Sequence, residues 1–540
     1  MTVTYMISEG AAYGITYGAL GVFAIAVGIA VPSLVATARD SGKEGSEIWY
    51  SARNSQGFLS IGLSCFASSM GAWVLFAAPE VGAGPARWWG VIGYAIASTL
   101  PFGVFCVVGP VIRRRFPAGF CLLDWVHDRF GRATQIYVGL CSVFYMWIYL
   151  VAELTSMGNL IRDFSGLDPM YALLPVSLVT MIYTMIGGLQ ASIWTDRVQG
   201  VIMVILVCVA AIACFSGVKM KSEHWRAVSD WNDKGFETLV TLILAIIGAE
   251  LFNMSVWQRV YAAQDEPQLR RGLMLGMALI FPTMILFGVA GMLAAGQDMG
   301  RPASTLVIPA LAFFDLLGSQ PGWVQSLTYC LATCMVASSV DSLQTGLVST
   351  LSREIMQRKF SPQLTTLLGA GLLATVNGAA IILAAESTKD ALLGLNILDL
   401  FLIADLVLLS ITVPIFSGLS SITTQTGALA GCFSGVLLIM SFGWVEFGTF
   451  TAGLEMLTLM AFGNVEPLES GLTASRTCII FFLLPIVTGA MTFMASWMER
   501  VLFYFDEKYG PNASNGSGEE LSGLKACSVG GDAAEGIAEL

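Results

Sequence analysis

The sequence predicts an all-α, polytopic membrane protein, and three observations carry that reading. Hydrophobic residues make up 55% of the 540 positions and charged residues only 12%, about half the charged share of a soluble domain. Apolar windows of roughly 20 residues, each long enough to cross a bilayer as a helix, recur along almost the whole chain. Lysine and arginine gather in alternate connections between those windows, as the cytoplasmic loops of membrane proteins do.

Thirteen spans follow in order, near 12–37, 57–83, 88–110, 134–160, 170–187, 194–217, 238–258, 271–295, 323–351, 363–385, 391–414, 420–443 and 473–496. Each must be helical. Backbone polar groups in lipid have to be satisfied within the segment, and these runs are too long for barrel strands. The first is read as a retained helix, because the stretch before it lacks a basic region and carries Glu9, unlike a cleaved signal peptide. The connection after span 3 holds Arg113, Arg114, Arg115, Arg129 and Arg132. The one after span 7 holds Arg259, Arg270 and Arg271, and the one after span 9 holds Arg353, Arg358 and Lys359. The short connections opposite, 161–169 and 386–390, hold only Arg162 and Lys389. The expected orientation has the N-terminus outside and the C-terminus in the cytoplasm, in the plasma membrane. Segment 218–237 carries four basic residues against this trend, offset by Glu223, Asp230, Asp233 and Glu237. The tail from about 505 is acidic and Gly/Ser-rich, a composition that reads as disordered. Its NAS and NGS triplets fall on the cytoplasmic side and read as chance matches to the glycosylation pattern.

Several function classes drop out. The net charge of −11 comes with no basic block, so no nucleic-acid partner is expected. The 11 cysteines are scattered without a CxxC pair, and His127 and His224 lie far apart. Neither a disulfide framework nor a histidine metal site is indicated. There is no Walker loop, HExxH or GxSxG. That argues against a primary pump, an enzyme or an organic cofactor. A secondary transporter or a channel remains.

Charges inside spans cost about 2.5–3.5 kcal/mol on insertion scales, which makes each a functional candidate. They are Glu80, Glu153, Asp196, Glu250, Asp341, Asp399 and Asp405. Asp341 lies in MVASSVDSLQTG, 335–346, beside the hydroxyls Ser338, Ser339, Ser342 and Thr345. Serines alone are equally at home in helix packing, whereas packing does not require a carboxylate. Ser338, Asp341 and Ser342, spaced i, i+3 and i+4, share a helix face.

Two stretches sharpen the reading: IGGLQASIWTDRVQGVIM, 186–203, and VWQRVYAAQDEPQLRRG, 256–272. Together they resemble the sodium/solute symporter family over roughly 50–440, and ASSMGAWVLFAAP, 67–79, is similar to the first core helix of its bacterial proline-transporting members. The resemblance implies a five-plus-five inverted-repeat, LeuT-like bundle with broken helices around a midplane site. Residues 1–56 would be an extra helix and cytoplasmic loop, 57–217 and 238–414 the two repeats, 415–504 extra helices and 505–540 the tail.

The resemblance also implies a sodium site built from the Ala67, Met70 and Met335 carbonyls and the Ser338 and Ser339 hydroxyls, oxygen ligands suited to a hard cation. Two departures stand out. Ser69 occupies a position where the proline-transporting members carry an aspartate, and Asp341 one where relatives carry a hydroxyl. Asp341, Asp196 and Ser342 are therefore expected to form a second site for sodium or a proton. For Asp196 the alternative is a charge paired with Arg197 or another arginine. Substrate candidates are Gly71, Trp73, Glu153, Glu250 and Asn253. Glu153 reads in preference as a buried glutamate paired with a neighbouring helix, and Trp73 and Trp257 as packing aromatics. Glu80 lies at the outer rim or against substrate. The expected activity is symport of a small organic solute, coupled to Na+ or H+ by alternating access. An amino acid such as proline is favoured over urea or a polyamine, and a channel or substrate sensor is the rival from another class.

Overall fold

The computed structural model describes residues 6–40, 52–117, 119–216, 220–298, 309–356, 362–388, 397–458 and 475–509. In chain order the helices are α1 (Glu9–Asp40), α2 (Phe58–Ser69), α3 (Val74–Ala83), α4 (Arg87–Arg115), α5 (Leu122–Ser165), α6 (Met170–Ser216), α7 (Ser222–Val228), α8 (Asp233–Glu250), α9 (Met254–Ala262), α10 (Glu266–Asp298), α11 (Ala312–Gly318), α12 (Gly322–Met356), α13 (Pro362–Ser387), α14 (Ile397–Phe416), α15 (Gln425–Phe447), α16 (Phe450–Glu455) and α17 (Ser475–Tyr509). Residues 1–496 form one compact unit, and the last turns of α17 begin a second. All thirteen predicted spans fall on helix. The predicted tail starts at 505, but α17 runs on to Tyr509; from 510 onward the tail lies outside the described residues.

Two spans are bent pairs rather than rods. α2 and α3 meet at 65°, and α8 and α9 at 62°. These pairs are spans 2 and 7. Span 4 starts earlier than hydropathy suggests. α5 begins at Leu122, bounded by a box in which the Asp124 carboxylate accepts from the Cys121 backbone N–H, and it turns at Gly131 (φ 77°). Spans 5 and 6 are one continuous element, α6, interrupted at Gly188 with φ 56° and ψ −151°. That region is open to glycine almost alone, so the second glycine of the IGGL motif sets the joint between two spans.

Close backbone contact holds α10 against the broken pair. A Cβ on Gly82 would lie 2.0 Å from the Gly288 carbonyl oxygen, and one on Gly291 would lie 2.0 Å from that of Pro79. Small residues let membrane helices approach this closely, where dispersion rather than the hydrophobic effect drives association.

The two ends of the bundle differ. At one end Trp88, Trp89, Trp225 and Trp231 cluster, with Trp88 and Trp231 stacked at 6.3 Å. Aromatic clusters of this kind are enriched at membrane–water interfaces. At the other end the arginines of the connection after span 3 act as clamps. Arg113 donates to the Val260 and Gln264 carbonyls, Arg115 to that of Leu419, and Arg129 to those of Gly418, Ser420 and Thr423. The connections after spans 3, 7 and 11 therefore meet at one end, as strict alternation of spans requires.

Candidate functional site

The first helix break is built from residues 70–73. Met70 ends α2 at φ −102° and ψ 78°, and the chain turns through Gly71 and Ala72 before α3 resumes. Backbone donors past the break reach Phe66, Gly71, Ala72 and Trp73, so the carbonyls of Ala67, Ser68, Ser69 and Met70 receive no backbone hydrogen bond. Ala67 and Met70 are buried there, and Met335, Ser338 and Ser339 are buried on α12. Ser339 reaches this region through Glu153 of α5, donating its hydroxyl to Oε1 at 2.6 Å. The Glu153 carboxylate sits over Gly71, where a Cβ would fall 1.5 Å from Oε1.

Deeper toward the arginine-rich end, the two stretches that carry the family resemblance meet. Arg259 of the second donates from Nη2 to Asp196 Oδ2 of the first at 2.6 Å, in an ion pair whose side chains are 1% and 0% exposed. Ser338 donates to Asp196 Oδ1 at 2.6 Å and Ser64 to Oδ2 at 2.6 Å. Arg259 also donates to Ser64 Oγ, the Ser255 carbonyl and Ser342 Oγ. Four elements, α2, α6, α9 and α12, are thus tied at one point. Asp196 is paired with Arg259 and not with neighbouring Arg197.

Asp341 faces a different set of donors. Tyr183 reaches Oδ2 at 2.7 Å, Ser192 reaches Oδ1 at 2.5 Å and Thr195 reaches Oδ2 at 3.2 Å, all from α6. Ser342 links the two carboxylates, 2.7 Å from Arg259 and 3.5 Å from Asp341. The structure therefore groups Asp196, Asp341, Ser338 and Ser342, but it fills both Asp196 oxygens with protein donors.

The second break, 251–253, follows Glu250. Asn253 caps α9, its side-chain oxygen accepting from the Ser255 backbone N–H, and donates to Glu250 Oε2 at 3.1 Å. Tyr145 donates to Glu250 Oε1 at 2.9 Å, and Tyr149, one turn on, donates to Asp405 Oδ1 at 2.9 Å. Both carboxylates line a cavity between the two breaks. Its other walls include Ser69, Trp73, Tyr94, Ser98, Tyr149 and Phe401. Trp73 packs 5.7 Å from Tyr94 and 5.5 Å from Phe401, and Tyr149 4.4 Å from Phe401 (ring centroids). The lining contains no lysine, arginine or histidine.

Among the substrate candidates, Trp73 and Glu250 line the cavity, Asn253 orients Glu250, and Gly71 faces Glu153. Glu153 itself stands off the lining, against α12. Asp405 carried no assigned role beyond being an intramembrane charge, although it is 2% exposed at the cavity wall. The side chain of Asp399 lies outside those described. Tyr145, Tyr149 and Glu153 were findable, because i, i+4, i+8 spacing puts two hydroxyls and a carboxylate on one face of span 4. Arg259, counted on sequence among the arginines of the connection after span 7, lies instead on α9 and is 1% exposed, because nothing in one sequence says which of several arginines turns inward.

Comparisons with known proteins agree with this geometry. The model of the sodium:solute symporter family matches residues 49–435. A spermidine transporter of Candida albicans is 28% identical over 424 residues, covering 76% of this chain and 77% of its own. A high-affinity proline transporter of Bacillus subtilis is 22% identical over 355 residues, covering 62% of this chain and 74% of its own. The substrate-bound, outward-open structure of a Na+-coupled sialic acid symporter superposes with a TM-score of 0.68 at 16% identity, over 90% of this chain and 98% of that one. The fold is accordingly the LeuT-like inverted-repeat bundle, with the two bent pairs opening its two halves. With its two motif stretches joined at Asp196 and Arg259 and its family model matched over 49–435, the chain belongs to the sodium:solute symporter family.

Proposed function

We propose that this protein is a Na+-coupled symporter of a small organic amine cation, a polyamine by preference, working by alternating access in the plasma membrane. One observation carries the substrate class: the cavity between the breaks presents two carboxylates, Glu250 and Asp405, within an aromatic box of Trp73, Tyr94, Tyr149 and Phe401. A buried carboxylate is costly unless paired, and an amine cation supplies that partner. Aromatic faces add roughly 0.5–2 kcal/mol each toward a desolvated cation. Two carboxylates suit a substrate with two or more amines. The spermidine transporter among the relatives supports the same reading.

This differs from the amino acid favoured on sequence. A zwitterion such as proline would bring its own carboxylate into a lining that holds two anions and no basic side chain. Tyr145 and Asn253 hold Glu250 and Tyr149 holds Asp405, each donor taking one lone pair and leaving others able to accept from a ligand. Each positive charge carried inward gains about 2.3 kcal/mol per 100 mV of inside-negative potential, so a cationic cargo moves with the same gradient that drives sodium.

Thermal unfolding of the purified protein tests the substrate class. Spermidine and putrescine should raise the unfolding temperature, while proline and urea leave it unchanged. Asp405→Asn should weaken the spermidine effect by 10-fold or more in half-saturating concentration. Stabilisation by proline or urea, with spermidine inert, would overturn the amine assignment.

A further inference from the structure

We propose that the Glu153 carboxylate is a direct ligand of the coupling sodium ion, held with Ser339 against the open carbonyls of the first helix break. The inference rests on the reading above that sodium is the coupling ion, and adds a charged ligand from a helix, α5, that the sequence reading did not place at the ion.

The side chain is 1% exposed, and its Oε1 is taken by the Ser339 hydroxyl. Oε2 has no hydrogen-bond partner. No ion pair among the described residues involves Glu153. Arg259, the fully buried arginine, spends its donors on Asp196, Ser64, Ser342 and the Ser255 carbonyl. A buried carboxylate in that position costs several kcal/mol without a positive partner. A carboxylate held ionised there requires a cation beside it.

The surroundings specify that cation. The carboxylate overlies Gly71. Directly before this residue are the four carbonyls of Ala67, Ser68, Ser69 and Met70 that lack backbone donors. Carboxylate, hydroxyl and carbonyl oxygens together form the donor set of a hard cation. Ser339 gives its single proton to Glu153, so its own lone pairs remain available. Gly71 has a stated purpose here: any side chain would displace the carboxylate from the break. A purely structural glutamate needs none of this. A glutamine would make the same contact with Ser339 without burying a charge.

Consequences for coupling follow from the geometry. An ion bridging Glu153, Ser339 and the break ties α5, α12 and the α2–α3 hinge together, so cation binding fixes the hinge that carries Trp73 into the substrate cavity. Neutralising the carboxylate removes the charge that draws the ion in, while the cavity carboxylates stay in place.

The test is cation-dependent thermal unfolding of the full-length protein in detergent, titrated with NaCl at constant ionic strength against KCl, for wild type, Glu153→Gln and Glu153→Asp. Wild type should be stabilised by sodium over potassium. Glu153→Gln should lose this or require at least 10-fold more sodium, and Glu153→Asp should retain it at several-fold lower affinity. Spermidine stabilisation in the absence of sodium should survive in both variants. A Glu153→Gln protein with wild-type sodium response overturns the inference and leaves sodium coupling standing. A wild type indifferent to sodium overturns both. If Glu153→Gln does not fold, Glu153→Asp decides: an unchanged sodium midpoint counts against direct ligation. A wild type whose stability follows pH but not sodium, with that dependence lost in Glu153→Gln, assigns the carboxylate to a proton and also overturns the sodium ligand.

Discussion

Arg259 is almost completely buried and places every donor of its guanidinium inside the protein. Its planar fork reaches three helices at once, which a lysine ammonium on a flexible stem does not reproduce. Arg259→Ala leaves Asp196 charged and unpaired in the core and should cost about 3–5 kcal/mol of stability, read as a lower unfolding temperature. Pairing it with Asp196→Asn should recover part of the loss, because the uncompensated charge is then gone. If the double variant is as unstable as the single one, the ion pair is not what Arg259 contributes. At this scale the sequence was readable for charge but not for partner. Asp196, Asp341, Glu153 and Asp405 all announce themselves as carboxylates within apolar runs. Which arginine, tyrosine or serine each one meets depends on helices separated by more than 60 residues, and no periodicity encodes that.

The two broken helices place these residues. Between Ser69 and Val74 the chain gives up regular hydrogen bonding, and the freed carbonyls are tolerated at membrane depth because they are buried within protein. The second break owes its shape to Asn253, which caps α9 and steadies Glu250. Gly71→Ala should abolish sodium-dependent stabilisation while preserving the fold, because the added methyl meets the Glu153 carboxylate and not backbone. Gly188→Ala acts differently. It forces a residue with a Cβ into φ 56°, ψ −151° and should cost about 1–3 kcal/mol without altering the sodium midpoint. An unchanged unfolding temperature in Gly188→Ala would show that the joint in α6 relaxes freely. Element positions were legible because thirteen apolar stretches need thirteen helices to satisfy their backbones. The early start of α5 was not, since its first turns are amphipathic and hydropathy does not register them.

Over the whole molecule, arginine clamps gather at one end and a tryptophan cluster at the other. By the positive-inside rule the arginine end is expected to be the cytoplasmic one. A cysteine replacing Pro267, exposed in the connection after span 7, should react with a membrane-impermeant maleimide only after permeabilisation. One replacing Ala227, exposed on α7, should react from outside. The reverse pattern would invert the orientation. The symporter fold was accessible from sequence through two short motifs, whereas the lining of the cavity was not. The cavity is assembled from spans 2, 3, 4, 7 and 11, each adding one to a few side chains.

Sodium-driven uptake of labelled spermidine into sealed vesicles tests coupled transport most directly. An inward sodium gradient should drive accumulation above equilibrium, collapse of that gradient should release it, and unlabelled spermidine on the far side should accelerate exchange. Glu250→Gln with Asp405→Asn should reduce uptake at least 10-fold at low substrate concentration. Uptake that equilibrates without accumulating, ignores the sodium gradient and shows no exchange acceleration would mean that the fold works here as a channel and not as a sodium-coupled carrier.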